Sequence, residues 1–564
     1  MKTEWDVPVP MDDGVVLRAD VYRPDAGTHP VILSYGPYAK GLAFQVGYPD
    51  QWKSMVDGHP DVAAGSSNAY QNWEVVDPEK WVPEGYVCVR VDSRGAGRSP
   101  GFIDHYSPRE TQDFYECIEW AARQSWSTGR IGLNGVSYYG INQWQVASLR
   151  PPSLSAICIW EGASDHYRDM THHGGILCTF FANWYDKQVK TVQHGLGSRG
   201  PTASINGLAV CGDDDLPEDE MAANRVDLGG AIAAHPLDDQ YHRDRSAEFE
   251  EITVPLLSAG NWGGHGLHLR GNVEGFMRSA SSQKWLELHG LEHWTHFYTD
   301  YGRKLQLEFF DHFLKDVDNG WDRRPPVMLN VRHVDRFEQR AAESWPLPET
   351  RWERLHLAPD LGLRYEPRSQ EWDVSFPATG EGLTFLTEPF DEETEITGPA
   401  SARVRVSSST EDADIFIVLR LFEPSGDEVT FRGALDPNSP LAHGWLRASH
   451  RQLDAERSIE WRPYHSHHKP EPLVPGEVYD LDIEIWPTSI VVPAGYRIGL
   501  TIRGRDYEGA PAEQSISTFK NQFTGVGPFL HDDPSDRPPE LFAGITSIHG
   551  GSVLLPFIPN SDAL

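Results

Sequence analysis

The first 160 residues alternate short apolar runs with stretches of helical period, and this alternation limits the possible folds more than any other feature. The apolar runs are rich in β-branched residues and each ends in Gly, Asp or Glu: HPVILSYG (29–36), GYVCVRVD (85–92), GRIGLNG (129–135) and SAICIWEG (155–162). Between them, TQDFYECIEWAARQ (111–124) has the period of an amphipathic helix. Strands that alternate with helices predict βαβ units and a mostly parallel sheet. In such sheets, reactive residues lie at the carboxyl ends of the strands.

The pattern changes at about residue 166. Residues 166–250 contain aromatic helical pieces and acidic loops without a convincing strand pattern. ITVPLLSAGN (252–261) and SQKWLELHG (282–290) then return to the strand pattern, and LQLEFFDHFLK (305–315) predicts a closing amphipathic helix. We therefore interpret 1–165 and 251–320 as two parts of one α/β domain, with 166–250 inserted as a helical cap.

Helical patterns nearly vanish after DNGWDRRPP (318–326). Alternating segments such as ASARVRVSSS, DIFIVLRLFE, VYDLDIEIWP and RIGLTIRG are separated by Gly, Pro and Asp. Short alternating strands between turn residues predict an all-β sandwich. The sequence thus predicts a separate β domain over 321–564, in keeping with a chain of 564 residues that is too long for one core.

Composition excludes several classes of partner. The formal net charge of −34 argues against nucleic acid and anionic membrane, because both bind basic surfaces. No apolar stretch approaches the roughly 20 residues of a membrane helix, and no signal-peptide pattern is visible, so we expect a cytoplasmic protein. A homo-oligomer is compatible with the sequence.

Metal ions are not expected from the sequence. The five cysteines are an odd set without C-x-x-C spacing, so free buried thiols are predicted rather than disulfides or a structural zinc site. Adjacent histidines occur at 172–173 and in HSHHK (465–469), where we interpret them as solvated surface residues.

One motif carries the chemistry. In GLNGVSYYGINQW (132–144), Ser137 follows a predicted strand and precedes a predicted helix, with Gly135 and Gly140 on either side. A serine at such a turn is typical of the nucleophile elbow of α/β-hydrolases, whose strict form is G-x-S-x-G. Here the spacing is G-x-S-x-x-G, with Tyr139 where the second glycine normally stands. The alternative is an ordinary glycine-rich turn.

Further motifs, in the same order along the chain, resemble one family of acyl hydrolases. They are SYGPYAK (34–40), VDSRGAGRSPG (91–101), the elbow itself, and EPFDEETEITGPASARV and LVPGEVYDLDIEIWPTSIVVPAGYRIGL in the β region. This family contains cocaine esterase, the X-Pro dipeptidyl-peptidases and the α-amino-acid ester hydrolases. The resemblance implies an α/β-hydrolase with a helical cap and a C-terminal jelly roll, and it implies no cofactor.

The resemblance also implies roles for individual residues. Ser137 matches the nucleophile, the backbone N–H of Tyr138 matches one oxyanion donor, and the Tyr38 hydroxyl matches the second. The base follows the last strand of the sheet, where KWLELHGLEHWTHFY (284–298) offers three histidines. By resemblance to the family's G-P-W-S-H, His293 is the catalytic histidine. His289 would still be on the strand, and His296 would need an insertion.

The acid of the triad departs from the family pattern. The family places an aspartate in a turn after the preceding strand, and that position in SAGNWGGHG (258–266) is Gly263. Glu161 ends the strand beside the nucleophile strand, and a carboxylate there is unusual in an apolar run. We therefore predict Glu161 as the replacement acid, with Asp165 as an alternative. A Gly263→Asp change would return an acid to the family position.

Three functions follow from these residues. The first is a serine hydrolase that cleaves a small carboxylic ester or activated amide through an acyl-enzyme at Ser137. The second is an X-Pro dipeptidyl-peptidase-like amide hydrolase, which would need carboxylates that grip a free ammonium group. The third is a degenerate, non-catalytic hydrolase that acts as a binding protein, and the absent aspartate is its main support.

Overall fold

The computed structural model describes residues 1–509 and 525–559. Its first part is built on a ten-stranded sheet with the order β1-β2-β4-β3-β5-β6-β9-β10-β11-β12. The strands up to residue 342 are β1 (Lys2–Pro10), β2 (Val16–Arg23), β3 (His29–Gly36), β4 (Val87–Asp92), β5 (Ser127–Val136), β6 (Leu154–Trp160), β7 (His172–His173), β8 (Ile176–Leu177), β9 (Leu256–Asn261), β10 (Lys284–His289), β11 (Val327–Arg332) and β12 (Phe337–Ala342). From β4 to β11 the neighbouring strands of the sheet are parallel.

The central strands β3, β4, β6 and β9 are largely buried because both faces of the sheet are covered. Val31 and Leu33 of β3 join one core cluster, whereas Ile32 points into the cluster on the other face. The α-helices are α1 (Phe44–Gly47), α2 (Pro49–Gly58), α3 (Pro78–Trp81), α4 (Pro108–Ala122), α5 (Tyr138–Ser148), α6 (Phe180–Trp184), α7 (Glu218–Ala223), α8 (Leu228–Ala233), α9 (Gln240–Arg243), α10 (Leu269–Arg278), α11 (Thr295–Tyr298), α12 (Asp300–Lys315) and α13 (Pro539–Phe542). Shorter 3-10 or π turns cover Pro60–Val62, His166–Thr171, Tyr185–Val189, Lys190–Val192, Gly197–Arg199, Phe249–Glu251, Trp321–Arg323 and Ala448–His450.

The segment between β6 and β9 covers the carboxyl ends of the strands. It contains the short β7–β8 hairpin and the helices α6 to α9, each of four to six residues. The predicted cap is therefore made of short helices and loops. The boundaries 1–165, 166–250, 251–320 and 321–564 stay predictions, and residues 510–524 and 560–564 of the last range lie outside the described residues.

The C-terminal part is an eleven-stranded sheet whose strand pairs, within the described residues, are all antiparallel. Its strands are β13 (Arg351–Leu357), β14 (Leu363–Arg364), β15 (Val374–Pro377), β16 (Leu383–Leu386), β17 (Thr394–Ser408), β18 (Asp414–Phe422), β19 (Glu428–Val429), β20 (Ala442–Arg447), β21 (Tyr479–Val492), β22 (Arg497–Arg503) and β23 (Ile545–Ile558). Alternate residues of β17, such as Ala402, Val404 and Val406, enter its own core. The predicted fold class, an α/β-hydrolase followed by an all-β domain, is confirmed.

The two sheets share a packed interface. Trp262, at the end of β9, packs in one apolar cluster with Trp445 and Trp486 of the C-terminal sheet. The buried Arg270 of α10 pairs with Glu484 of β21 at 2.9 Å. No helix within the described ranges is long and apolar enough to cross a membrane.

Candidate active site

Ser137 lies in a strained turn between β5 and α5. Its φ of 58° and ψ of −117° are unusual for a residue with a side chain. The turn is held by a hydrogen bond from the Ser137 N–H to the Trp160 carbonyl, at 2.9 Å. The strain directs Oγ away from the sheet, as the predicted elbow requires.

The two glycines of the motif are needed for close packing around this turn. A Cβ on Gly140 would lie 2.7 Å from the Trp160 carbonyl oxygen, and a Cβ on Gly135 would overlap the side chain of Tyr139. Tyr139 itself occupies space that Gly36 leaves open, since a Cβ there would come within 2.6 Å of the tyrosine ring. The spacing G-x-S-x-x-G therefore suits this elbow because Gly36 accommodates the tyrosine.

His268 is the histidine that reaches the serine. Its Nε2 lies 3.2 Å from Ser137 Oγ, and its side chain is buried. The residue immediately precedes α10, in the turn NWGGHGLH (261–268) after the carboxyl end of β9. His268 was not predicted from the sequence, because the family pattern places the catalytic histidine after the following strand, β10. Its position after a strand of the same sheet was the available signal.

Glu161 is surrounded by histidines. Its Oε2 lies 3.1 Å from His293 Nδ1 and 3.8 Å from His268 Nδ1, and its Oε1 lies 3.3 Å from His289 Nε2. The Glu161 side chain is fully buried, and its backbone has a φ of 50°. Burial would raise the pKa of Glu161, but the positive charge of His293 and hydrogen bonds to His289 and His293 hold it far below its usual value. Glu161 is therefore a carboxylate.

His293 is held between two carboxyl groups. Its Nδ1 faces Glu161, and its Nε2 lies 2.9 Å from Oε1 of Glu74. Burial lowers the pKa of His293, but the charge of Glu161 and hydrogen bonds to Glu161 and Glu74 outweigh burial and raise it to about 9. Burial raises the pKa of Glu74 to about 7, against the opposing effect of His293. Because the two groups lie 2.9 Å apart, their titrations are coupled.

His268 and His293 stack on each other, with ring centroids 4.7 Å apart. Burial lowers the pKa of His268 well below its ordinary value, and the positive charge of His293 lowers it further. His268 is therefore neutral at pH 7, as an acceptor of the serine proton has to be.

The other histidines and the second acid considered from the sequence do not contact Ser137. His289, which also contacts Glu161, donates from Nδ1 to the Glu287 carboxylate at 2.6 Å, and His296 Nε2 lies 3.4 Å from Glu287. Asp165 caps the turn that starts at His166 and pairs with Arg168 at 3.0 Å. The structure thus brings Glu161, rather than Asp165, to the histidines beside Ser137.

Tyr38 and Tyr138 supply polar groups on the other side of the serine. The Trp184 Nε1–H donates to the Tyr38 hydroxyl oxygen at 3.1 Å, which leaves the hydroxyl hydrogen for another acceptor. Burial raises the pKa of Tyr38 well above its usual value, so the phenol is neutral. Tyr138 is the first residue of α5, where backbone N–H groups have no acceptor within the helix.

The side chain of Tyr138 anchors the start of α5. Its hydroxyl donates to Glu110 at 2.5 Å and contacts His105 Nδ1 at 3.0 Å. Its ring stacks on Tyr106 and Trp184.

A small cavity opens beside Ser137. Its volume is about 40 Å³. The lining is mostly aromatic and apolar, with polar groups from Tyr38, Glu74, Ser137, His268 and His293. The other lining residues are Gln51, Trp73, Tyr106, Ile141, Phe180, Phe181, Trp184, Gln188, Leu267, Trp294 and Leu435. Leu435 comes from the C-terminal domain, which therefore contributes to the wall of the cavity.

Gly263, at the family's aspartate position, packs against that same domain. A Cβ on Gly263 would overlap Gly433 Cα and lie 2.8 Å from the Ala434 nitrogen. The Ala434 N–H donates to the Gly263 carbonyl at 3.2 Å, and the His293 N–H donates to the Ala434 carbonyl at 3.0 Å. The glycine thus allows the loop 433–435 to approach β9 and the His293 loop.

Within the described residues, three groups of side chains have the donor set for a metal ion. They are Glu161, His268 and His293; Glu287, His289 and His296; and His173, Cys178 and His531. The expectation that the histidines at 172–173 and 465–469 are solvated is wrong for four of them. His172, His173, His465 and His467 are buried, because the cap and the C-terminal domain pack over them.

Comparison with known proteins agrees with this architecture. Residues 13–298 match the family model described as X-Pro dipeptidyl-peptidase (S15 family), and residues 319–550 match the model of the X-Pro dipeptidyl-peptidase C-terminal non-catalytic domain. The crystal structure of a CocE/NonD family hydrolase from Staphylococcus aureus is 30% identical, covers 99% of this chain and 94% of its own, and has a TM-score of 0.83.

Two further proteins extend the comparison. Cocaine esterase from Rhodococcus sp. strain MB1 Bresler is 25% identical over 89% of this chain and 90% of its own. An aminopeptidase from a Thaumarchaeota archaeon is 18% identical, with a TM-score of 0.68 over 99% of this chain and 96% of its own, and shares the fold. The S15 model spans half of the chain and includes the elbow, so the resemblance seen in the sequence motifs is confirmed. The chain belongs to the S15 peptidase family and is a serine hydrolase.

Proposed function

We propose that this serine hydrolase cleaves a small carboxylic ester through an acyl-enzyme on Ser137. The observation that carries the proposal is the 3.2 Å contact between Ser137 Oγ and the neutral His268, at the edge of a small aromatic cavity. Attack by Oγ on the ester carbonyl breaks the bond to the alcohol, and water then releases the acid.

In this proposal His268 takes the proton from Ser137 and returns it to the leaving alcohol. Glu161, 3.8 Å from His268 Nδ1, stabilises the positive charge that His268 then carries. His293 fixes Glu161 by a 3.1 Å hydrogen bond. The base predicted from the sequence was His293, which stays the alternative, since a change in the Glu74 contact would free its Nε2 for Ser137.

The oxyanion is proposed to bind between the Tyr38 hydroxyl and the Tyr138 N–H. The hydrogen bond from Trp184 to Tyr38 supports this role, because it orients the phenol and leaves its hydrogen available. A neutral donor that is already oriented needs no reorganisation when the negative charge develops.

An ester is favoured over a dipeptide amide by the polar groups that line the cavity. Among its described lining residues, Glu74 is the one carboxyl group, and it is bonded to His293. Recognition of a free ammonium would need a carboxylate that is not occupied in this way. The name of the cocaine esterase relative is in keeping with this preference.

The test combines labelling with a substrate series. We expect a fluorophosphonate to label the wild type and not Ser137→Ala, and aryl esters of short acids to react faster than those of long acids. An X-Pro anilide is the comparison for peptidase activity. Absence of both labelling and ester hydrolysis would favour the binding-protein alternative, and a faster anilide reaction would favour the peptidase.

The base is tested by a matched pair of substitutions. His268→Gln should lower kcat by about 10⁴-fold or more, because loss of the base costs almost as much as loss of the nucleophile. His293→Gln should leave measurably more activity, since His293 acts through Glu161. The reverse order of the two activities would assign the base to His293.

A further inference from the structure

A second cluster of chemically reactive side chains lies where the cap meets the C-terminal domain. His173 and Cys178 come from the cap, around the β7–β8 hairpin, and His531 comes from the segment before α13. All three side chains are buried, and their ligand atoms lie within 4.8 Å of one another. Trp445 packs against both imidazole rings.

The outward nitrogens of both histidines are already committed to acceptors. His531 Nδ1 lies 2.8 Å from Oδ1 of Asp506, whose other oxygen accepts the His531 backbone N–H at 2.7 Å. His173 Nε2 lies 3.2 Å from the Asp169 carbonyl oxygen. A carboxylate and a carbonyl accept hydrogen bonds, so each of these ring nitrogens carries a hydrogen.

The inward nitrogens therefore both present lone pairs in the neutral rings. His173 Nδ1 and His531 Nε2 lie 2.8 Å apart and face each other. Two lone pairs at that distance repel, and a metal ion bound between them would remove this repulsion while both outer hydrogen bonds are kept.

The surroundings fit a metal ion. Cys178 adds a third ligand, and Zn²⁺ binds cysteine sulfur and histidine nitrogen in proteins, with a water molecule in the fourth position of a site with three protein ligands. Outer hydrogen bonds from the ligand histidines to a carboxylate and a carbonyl are the usual arrangement around such sites. A Zn²⁺ ion, the Cys178 thiolate and the Asp506 carboxylate together would carry no net charge, which suits a buried position.

We propose that His173 Nδ1, Cys178 Sγ and His531 Nε2 bind Zn²⁺ and join the cap to the C-terminal domain. Binding releases the Cys178 thiol proton to solvent. The two inward nitrogens would separate by about 0.5 Å to reach the usual zinc–nitrogen distances. Cys178 comes just before α6, whose Phe180, Phe181 and Trp184 line the cavity beside Ser137. The ion would thus stabilise one wall of that cavity.

The experiment measures metal content in the tag-free, full-length protein. After dialysis against Zn²⁺ and removal of excess, we expect about one Zn²⁺ per chain in the wild type and in Cys211→Ser, which changes another buried cysteine of the cap. Cys178→Ser and His531→Gln should lose the ion. Zn²⁺ binding that is retained in His268→Gln would show that the ion does not bind at the histidines beside Ser137.

An absorption spectrum of the Co²⁺-substituted protein tests the site without depending on the stability of every variant. Co²⁺ in place of Zn²⁺ should give a thiolate-to-cobalt charge-transfer band that Cys178→Ser lacks, even if His531→Gln does not fold. Less than about 0.1 Zn²⁺ per chain, or full binding by Cys178→Ser, would overturn the proposal. The two histidines would then be bonded directly to each other.

Discussion

Gly263 gives the sharpest test of why this chain lacks the family's aspartate. A Cβ at this position would overlap Gly433 Cα and lie 2.8 Å from the Ala434 nitrogen, and both are backbone atoms that no side-chain rotation can move. Gly433 cannot retreat easily, since its own α-carbon faces the side chain of Ser439. Overpacking of this kind typically costs 1–3 kcal/mol, and we expect about 3 kcal/mol for Gly263→Ala.

That cost corresponds to a fall in Tm of roughly 5 to 10 °C for a domain of this size. Gly263→Asp should be at least as destabilising, and it should not rescue Glu161→Gln although it returns an acid to the family position. Gly58→Ala is a suitable control, because a Cβ there meets nothing within 4 Å. The measurements are thermal unfolding at two scan rates and ester hydrolysis by the wild type, the four single variants and the Gly263→Asp/Glu161→Gln double variant.

A wild-type Tm for Gly263→Asp together with restored activity in the Glu161→Gln background would refute this reasoning. It would show that the 433–435 loop yields without cost and that the acid was lost for another reason. A lower Tm in Gly58→Ala as well would mean that glycine replacement in general, rather than this contact, is being measured.

Three further results are expected. Tyr38→Phe should lower kcat by on the order of 10²-fold with little change in KM, because the donor acts mainly in the transition state; an effect on KM alone would limit Tyr38 to shaping the cavity. Glu161→Gln keeps the shape but removes the charge beside the histidines, so we expect kcat to fall by roughly 10²- to 10⁴-fold, and near-wild-type kcat would exclude Glu161 as the acid. Burial lowers the pKa of His465 to about 3, so between about pH 6.5 and 3 only the unfolded state binds this proton, and stability falls as the pH falls. In urea unfolding from pH 6.5 to 4.5, the slope of the unfolding free energy against pH should be about 1.4 kcal/mol per pH unit smaller in His465→Gln than in the wild type. An unchanged slope would contradict this.

The elements with a strong local pattern could be predicted from the sequence. The run HPVILSYG is a strand over the same residues, His29–Gly36, because both of its faces are buried. The helix predicted at 111–124 occupies Pro108–Ala122, and begins earlier because Ser107 caps it and Pro108 suits its first position. The elbow could be recognised because its glycines and serine lie close together in the sequence.

The remaining features depend on contacts between distant segments. His268 reaches Ser137 only because β9 ends beside β6 and α10 begins there. Nothing near Gly263 in sequence reveals that Gly433 and Ala434 occupy the space of its side chain. The sequence around His465 and His467 has the polar composition of an exposed loop, and their burial comes from packing against the cap.

The loop 433–435 gives the C-terminal domain a part in substrate choice, although the matching family model describes that domain as non-catalytic. Leu435 forms part of the cavity wall, and the Ala434 carbonyl holds the backbone of His293. Residues of both domains therefore line the cavity, and we expect both to influence substrate preference. A chimera that exchanges only the α/β-hydrolase domain between relatives would combine cavity residues from two different proteins. A graft that moves the 433–435 loop together with the Gly263 turn would keep the contacting residues of this part of the cavity wall together.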